Sequence, residues 1–173
     1  MIYEKQQRTG QAPGGFTDAK AAGNSPRSRG LGRGVAELRQ RYLVMKIHHI
    51  GYLVKNVEKA AKAAEVLGFT PCADAVYDVD RRIYILFMEN GGYRIELVQP
   101  DQDSEIYPLM KRYKNSPYHI CYDIEDEEMD AAIERLSEQK FTLFKAPCRA
   151  VALEGDAAFL MSLDIGMVEL VKR

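Results

Sequence analysis

One stretch of this chain occurs twice. The segment HIGYLVKNVEKAAKAAEVLGFT, beginning at His49, matches HICYDIEDEEMDAAIERLSEQKFT, beginning at His119, and RIELVQ at 94–99 matches MVELVK at 167–172. His and Glu lie 47 residues apart in the first copy (49 to 96) and 50 in the second (119 to 169). The offset between copies is 70 at the histidines and 73 at the glutamates. A duplication on this scale is one supersecondary unit used twice, so both copies must present the same elements in the same order.

Each copy predicts β-α-β-β-β. A strand rich in Ile, Val and Tyr opens it (46–54 and 117–124), and a helix follows. In the first copy Asn56 is the expected N-cap before VEKAAKAAEVLG, with Gly68 as the stop. In the second, Asp126 is the expected cap of EEMDAAIERLSEQ, whose Met129, Ile133 and Leu136 form a core stripe at helical spacing. Three strands then follow, at about 70–78, 82–89 and 93–99, and at about 141–146, 149–154 or 157–163, and 167–172. Asn90-Gly91-Gly92 predicts a hairpin turn, and Asp164-Ile165-Gly166 its counterpart. The stretch 100–116, with Pro100, Pro108 and EIYPLMKRY, links the copies.

Successive strand residues face opposite ways, which assigns the polar ones. Ile50, Tyr52 and Val54, like Ile120, Tyr122 and Ile124, form the apolar set that covers the helix. His49 and His119 therefore point away from the helices. Ile95/Leu97 and Val168/Leu170 are the helix-side set of the closing strands, which turns Glu96 and Glu169 the same way as the histidines. Four metal-competent side chains thus share one face at repeat-equivalent positions. His48 falls on the helix side by the same alternation and reads as structural; its repeat partner is Tyr118.

Charge and composition narrow the classes. Residues 1–44 carry 8 Lys/Arg and 3 Asp/Glu, a net of +5, and residues 45–173 carry 16 and 22, a net of −6. An acidic body without a basic stripe excludes nucleic acid as the expected partner and points to a small molecule. No run approaches the length needed to span a membrane. Cys72, Cys121 and Cys148 suit a reducing cytoplasm better than a disulfide framework. Residues 1–44 hold 7 of the 13 glycines and little apolar material. They read as a disordered or non-native N-terminal extension, with a short helical turn at 35–43 and Met45 as the expected start. Residues 45–173 read as a single domain of two modules, 45–99 and 117–173, with the linker 100–116 between them.

The segments HHIGYLVKN, RIELVQP, PYHICYDI and GMVELVKR resemble the ligand strands of the vicinal oxygen chelate superfamily, which includes glyoxalase I and methylmalonyl-CoA epimerase. The resemblance spans 46–173. It implies an α+β fold of two tandem βαβββ modules forming a U-shaped mixed sheet, often completed as a homodimer. It also implies a divalent metal held by His49, Glu96, His119 and Glu169. Such a donor set suits Zn, Ni, Co or Mn.

A site of this kind stabilises the charge that develops when a proton α to a carbonyl is removed. Glu169, with Glu96 as its competitor, is the expected base. FLMSLDIGMVEL lacks the HPK-like segment and glycine pair usual in epimerases. Resemblance to lactoylglutathione lyase-like proteins makes a glyoxalase-type reaction the expected activity, with a methylmalonyl-CoA epimerase-like reaction as the alternative. A metal-free drug-binding protein and an extradiol-type dioxygenase rank below both. Tyr52, Tyr84, Arg94 and Lys111 are suggested substrate contacts.

Overall fold

Val, Ile, Tyr and Phe stand at alternate positions through the strands of both copies, and a pleated sheet buries such residues on its two faces. A computed structural model describes residues 45–173, which fall within one compact unit. The extension, its helical turn and the expected start at Met45 concern residues outside this range or at its edge. The first copy forms β1 (Lys46–Leu53), α1 (Val57–Val66), β2 (Thr70–Pro71), β3 (Val76–Asp78), β4 (Ile83–Asn90) and β5 (Tyr93–Pro100). A 3-10 turn at Tyr107–Leu109 runs into α2 (Met110–Tyr113). The second copy forms β6 (Ser116–Asp123), α3 (Met129–Glu138), β7 (Thr142–Ala150), β8 (Gly155–Ser162) and β9 (Gly166–Lys172).

All strands join one mixed sheet in the order β2-β4-β5-β1-β6-β9-β8-β7, with β3 on β4. In both modules the first strand pairs parallel with the last, β1 with β5 and β6 with β9, and antiparallel pairing of β1 with β6 joins the halves. Two repeat-related cores lie beneath the helices. Val57, Ala61 and Ala64 of α1 pack on Leu86, Met88, Ile95 and Leu97. Met129, Ala132 and Leu136 of α3 pack on Ala158, Leu160, Val168 and Leu170. On the opposite face, Ile83 and Ile85 of β4 share a cluster with Tyr118 and Met167, against which Phe159 and Met161 of β8 pack. Since β4 and β8 stand five places apart in the strand order, the sheet curls until its two wings meet over that face.

The expected fold is borne out, with four local differences. Asn56 caps α1, its Oδ1 accepting from the Lys59 amide at 2.8 Å. Asp126 does not cap α3, which begins three residues later. The preceding acids are paired elsewhere, Glu127 with Arg135 at 2.6 Å and Glu128 with Lys172 at 2.6 Å, and Glu128 stands at the N-cap position without a side-chain cap. The single strand expected at 70–78 divides into β2 and β3 around a bend after Pro71, which has no amide hydrogen for the ladder. The alternatives at 149–163 resolve as the end of β7, a 3-10 turn and β8. Finally, His48 does not take the helix side, for the reason given below.

Candidate metal centre

The centre is built where the two copies meet. Ile50 of β1 pairs with Ile120 of β6, the same position of each module, so an approximate two-fold axis passes through this pair. His49 then stands opposite Cys121, and Gly51 opposite His119. Parallel pairing sets Glu96 beside Gly51 and Glu169 beside Cys121. Residues paired across strands share a face, so Glu96 and His119 lie in one row and His49 and Glu169 in the next.

The four side chains converge. The two imidazole Nε2 atoms lie 3.1 Å apart. Glu169 Oε2 is 3.2 Å from His49 Nε2 and 3.1 Å from His119 Nε2, while Glu96 Oε2 is 3.4 and 3.6 Å away. One donor atom from each residue lies within 4.8 Å of every other. Exposure is 1% for His49, 5% for Glu96, 3% for His119 and 1% for Glu169. Glu169 Oε2 has no hydrogen-bond partner despite its burial. Two buried carboxylates facing each other require a counter-charge. Donors about 2.0–2.2 Å from one cation would lie roughly 3–3.6 Å apart, which is the spacing found around the histidines. These residues fit a divalent metal.

Electrostatics agree with that fit. Burial works against protonation of His49, but the charges of Glu96 and Glu169 prevail and lift it to about 9. Burial likewise opposes ionisation of Glu169, yet the two imidazoles hold its carboxyl well below the usual carboxylate range. The protein groups alone thus draw a proton to the point where a cation would offset the carboxylates. Cys121 lies within reach of His48 and His49, but burial, reinforced by the charge of Glu169, pushes its thiol far up.

Two departures from strand alternation support the histidines. The β1–β6 register slips between Ile47 and His49, leaving His48 without a partner, and again between Gly51 and Tyr52, which leaves out Tyr118. These bulges occupy the same position of the two copies. A bulge re-aims its side chain, so His48 comes to lie beside His49 and Tyr118 beside His119, with ring centroids 5.1 and 4.4 Å apart. The Nδ1 atoms of His48 and His49 are 2.8 Å apart, a hydrogen bond in which one ring donates. Burial, and then His49, lower His48 to about 4, so it is neutral at pH 7. Gly51 serves His119: a Cβ there would sit 2.0 Å from its Cε1 atom, so only glycine lets the ring lie across β1.

Sequence reasoning also missed a pair of phenylalanines. Phe87 is paired with Glu96 and Phe159 with Glu169. Each ring stands edge-on to a histidine, Phe87 to His49 at 5.2 Å and Phe159 to His119 at 5.6 Å. The signal was present as a Phe nine or ten residues before each glutamate. Of the suggested substrate contacts, Tyr52 packs in the core beneath α1. Tyr84 packs on Tyr77 in the exposed β3–β4 layer, and Lys111 is exposed. Arg94 Nη1 lies 3.3 Å from His48 Nε2, behind the centre. A cleft is lined by Arg81, Met167 and, among others, Tyr118 and Phe159, the two rings that pack on His119.

Comparison with known proteins places the chain in a family. The model of the Glyoxalase/Bleomycin resistance protein/Dioxygenase superfamily matches residues 48–159, and the chain belongs to that superfamily. Human mitochondrial methylmalonyl-CoA epimerase is 26% identical over 129 residues, covering 72% of this chain and 72% of that protein. A hypothetical protein from Bacillus halodurans C-125 has the same fold, with a TM-score of 0.66 at 19% identity over 75% of this chain and 94% of its own. Methylmalonyl-CoA epimerase from Mycobacterium tuberculosis gives a TM-score of 0.61 at 20% identity over 73% and 86% of the two chains. A Streptomyces coelicolor epimerase in complex with 2-nitronate-propionyl-CoA gives 0.62 at 16% identity over 75% and 94%. No described helix is long and apolar enough to cross a membrane.

Proposed function

We propose that this chain is a metal-dependent enzyme that moves a proton at the carbon α to a carbonyl, with an acyl-CoA thioester as the substrate class. The observation that carries this reading is the buried convergence of His49, Glu96, His119 and Glu169. The relatives described above include epimerases of methylmalonyl-CoA, and they support the epimerase alternative over the glyoxalase-type lyase expected first.

His49, Glu96, His119 and Glu169 would hold the metal. Bound there, a divalent cation supplies electrophilic stabilisation of the charge that develops on the substrate carbonyl as the α proton leaves. The remaining work falls to the side chains. Inverting an α carbon requires a proton to be taken from one face and returned to the other. Glu96 on β5 and Glu169 on β9 flank the central strands β1 and β6, so the module two-fold offers one carboxylate to each face. Glu96 lies slightly farther from the histidines, at 3.4 and 3.6 Å, than Glu169, at 3.2 and 3.1 Å. Glu169, with Glu96 as its competitor, would move the proton. Phe87 and Phe159 close the apolar walls around the histidines and exclude water, which strengthens every charge interaction inside.

The reading is tested by incubating zinc- or cobalt-loaded protein in D2O with one enantiomer of an α-substituted acyl-CoA and following the α position by NMR. Deuterium uptake with inversion is expected. Metal-loaded protein that neither exchanges nor inverts any such thioester would exclude the activity.

A further inference from the structure

We propose that a groove between α1 and the sheet, on the face opposite the metal centre, is a second binding site that takes a medium-chain fatty carboxylate. Duplication shows how the groove arises. Counted from their first residues, α1 and α3 set Val57 against Met129, Ala61 against Ile133 and Ala64 against Leu136. The larger side chains of α3 fill the core beneath it. Beneath α1 the alanines leave a groove of about 570 Å³, lined by Ala60, Ala63 and Ala64 of the helix and by Tyr52, Ile95 and Leu97 of the sheet. That volume lies in the range of small-molecule sites. Glu96 stands between Ile95 and Leu97 and so leaves β5 on the other side. The groove is thus separate from the proton-transfer site and independent of it.

The two ends of the groove differ. At the N-terminal end of α1 it is lined by Lys55, Asn56, Lys59 and Asn115. Among the described residues the lysine ion pairs are those of Lys46, Lys145 and Lys172, so both ammonium groups at this end lack a carboxylate. The two amide oxygens are engaged, Asn115 Oδ1 by the Lys55 amide at 2.9 Å and Asn56 Oδ1 by the Lys59 amide at 2.8 Å. Ammonium and amide N–H groups are left to meet a ligand, a donor set that recognises an anion. The rest of the groove is apolar and ends at Phe69 and at Leu67, which is 72% exposed. With ten residues α1 is about 15 Å long, which an extended chain of roughly ten carbons matches. A carboxylate head on such a chain would pair with Lys55 and Lys59 while its methylenes cover the alanines. A second copy of this chain suits the groove less, since a two-fold contact centred there would bring the lysines of one copy against those of the other.

The test titrates zinc-loaded full-length protein calorimetrically with hexanoate, octanoate and decanoate, with decanol as the uncharged control, and follows methyl resonances by NMR. Each two-carbon step should tighten binding roughly tenfold, as buried methylenes do, with shifts at Ala60, Ala64 and Leu97. The double variant Lys55→Gln/Lys59→Gln should weaken decanoate about fivefold, the size expected of exposed charge pairs, and leave decanol unchanged. Ala64→Leu, which restores the residue of the second module, should weaken decanoate by roughly tenfold or more. Ala63→Phe, at an exposed position of the groove, supplies the same block should Ala64→Leu fail to fold. Affinity that ignores chain length, shifts confined to the histidines of the metal centre, or decanoate binding that survives both blocking variants would each overturn the proposal. So would a dimer that decanoate leaves intact and Ala63→Phe disrupts, which would assign the groove to a second copy.

Discussion

At the scale of single residues, the centre depends on one absent side chain and one misplaced proton. A Cβ on Gly51 would overlap the His119 ring, so Gly51→Ala must rotate or displace that imidazole. The expected result is a loss of roughly 10- to 100-fold in zinc affinity, comparable to other disruptions of ligand support, with little change in far-UV circular dichroism. His49 sets the pH behaviour. Because its pKa is raised to about 9, it carries a proton at pH 7 that a metal must displace. Zinc affinity should therefore climb by about tenfold per pH unit up to about pH 9. In the metal-free protein the raised pKa contributes stability that is fully present below about 6.5 and is lost as pH rises to about 9. The lowered Glu169 contributes above about 4.5, its ordinary value, and that part is lost at lower pH. Melting temperatures of metal-free protein should fall on both sides of this window. Saturating zinc should abolish the alkaline fall, and a metal-free protein that gains stability between pH 6.5 and 9 would contradict the assignment to His49.

At the scale of elements, most of the framework was legible because repetition and period-2 alternation are local signals. Asn56, Gly68 and the Asn90-Gly91-Gly92 turn behave as their chemistry dictates, with Gly68, Gly91 and Gly92 all at positive φ. What escaped was set by partners distant in sequence. Asp126 looked like a cap, but α3 starts at Met129 with Glu128 at the N-cap position, and Glu127 and Glu128 pair with Arg135 and Lys172. Asn56→Ala should then cost about 1 kcal/mol in chemical denaturation, whereas Asp126→Ala should fall within ~0.5 kcal/mol of wild type, as an exposed substitution does. Alternation also failed at His48 and Tyr118, because a bulge belongs to the pairing of two strands and leaves no mark on either one alone. The bulges are the reason His48 supports His49 and does not enter the helix-side core. His48→Ala should weaken zinc binding and, by leaving the buried His49 Nδ1–H without its acceptor, also lower the urea midpoint of the metal-free protein.

At the scale of the whole molecule, duplication creates the site. Neither copy holds more than one imidazole and one carboxylate of the set, and only the antiparallel join of β1 to β6 brings both pairs together. The same symmetry argues for a division of labour between the glutamates. Glu96→Gln and Glu169→Gln, loaded with metal, should each still wash deuterium into one enantiomer of the substrate while inversion falls by about 100-fold or more. Complete inversion in both variants would exclude a two-base route. The fold and the four converging residues could be read from the sequence. The Phe87/Phe159 pair could not, since its role arises where the wings of the sheet meet. The central claim is tested most directly by X-ray absorption spectroscopy on the zinc-loaded protein, read together with metal content. One zinc per chain in a shell of nitrogen and oxygen, with scattering from two imidazoles, is the predicted result, and it should be lost in His49→Ala and His119→Ala. A sulfur scatterer, which Cys121 is close enough to supply, or unchanged uptake in those variants would contradict it.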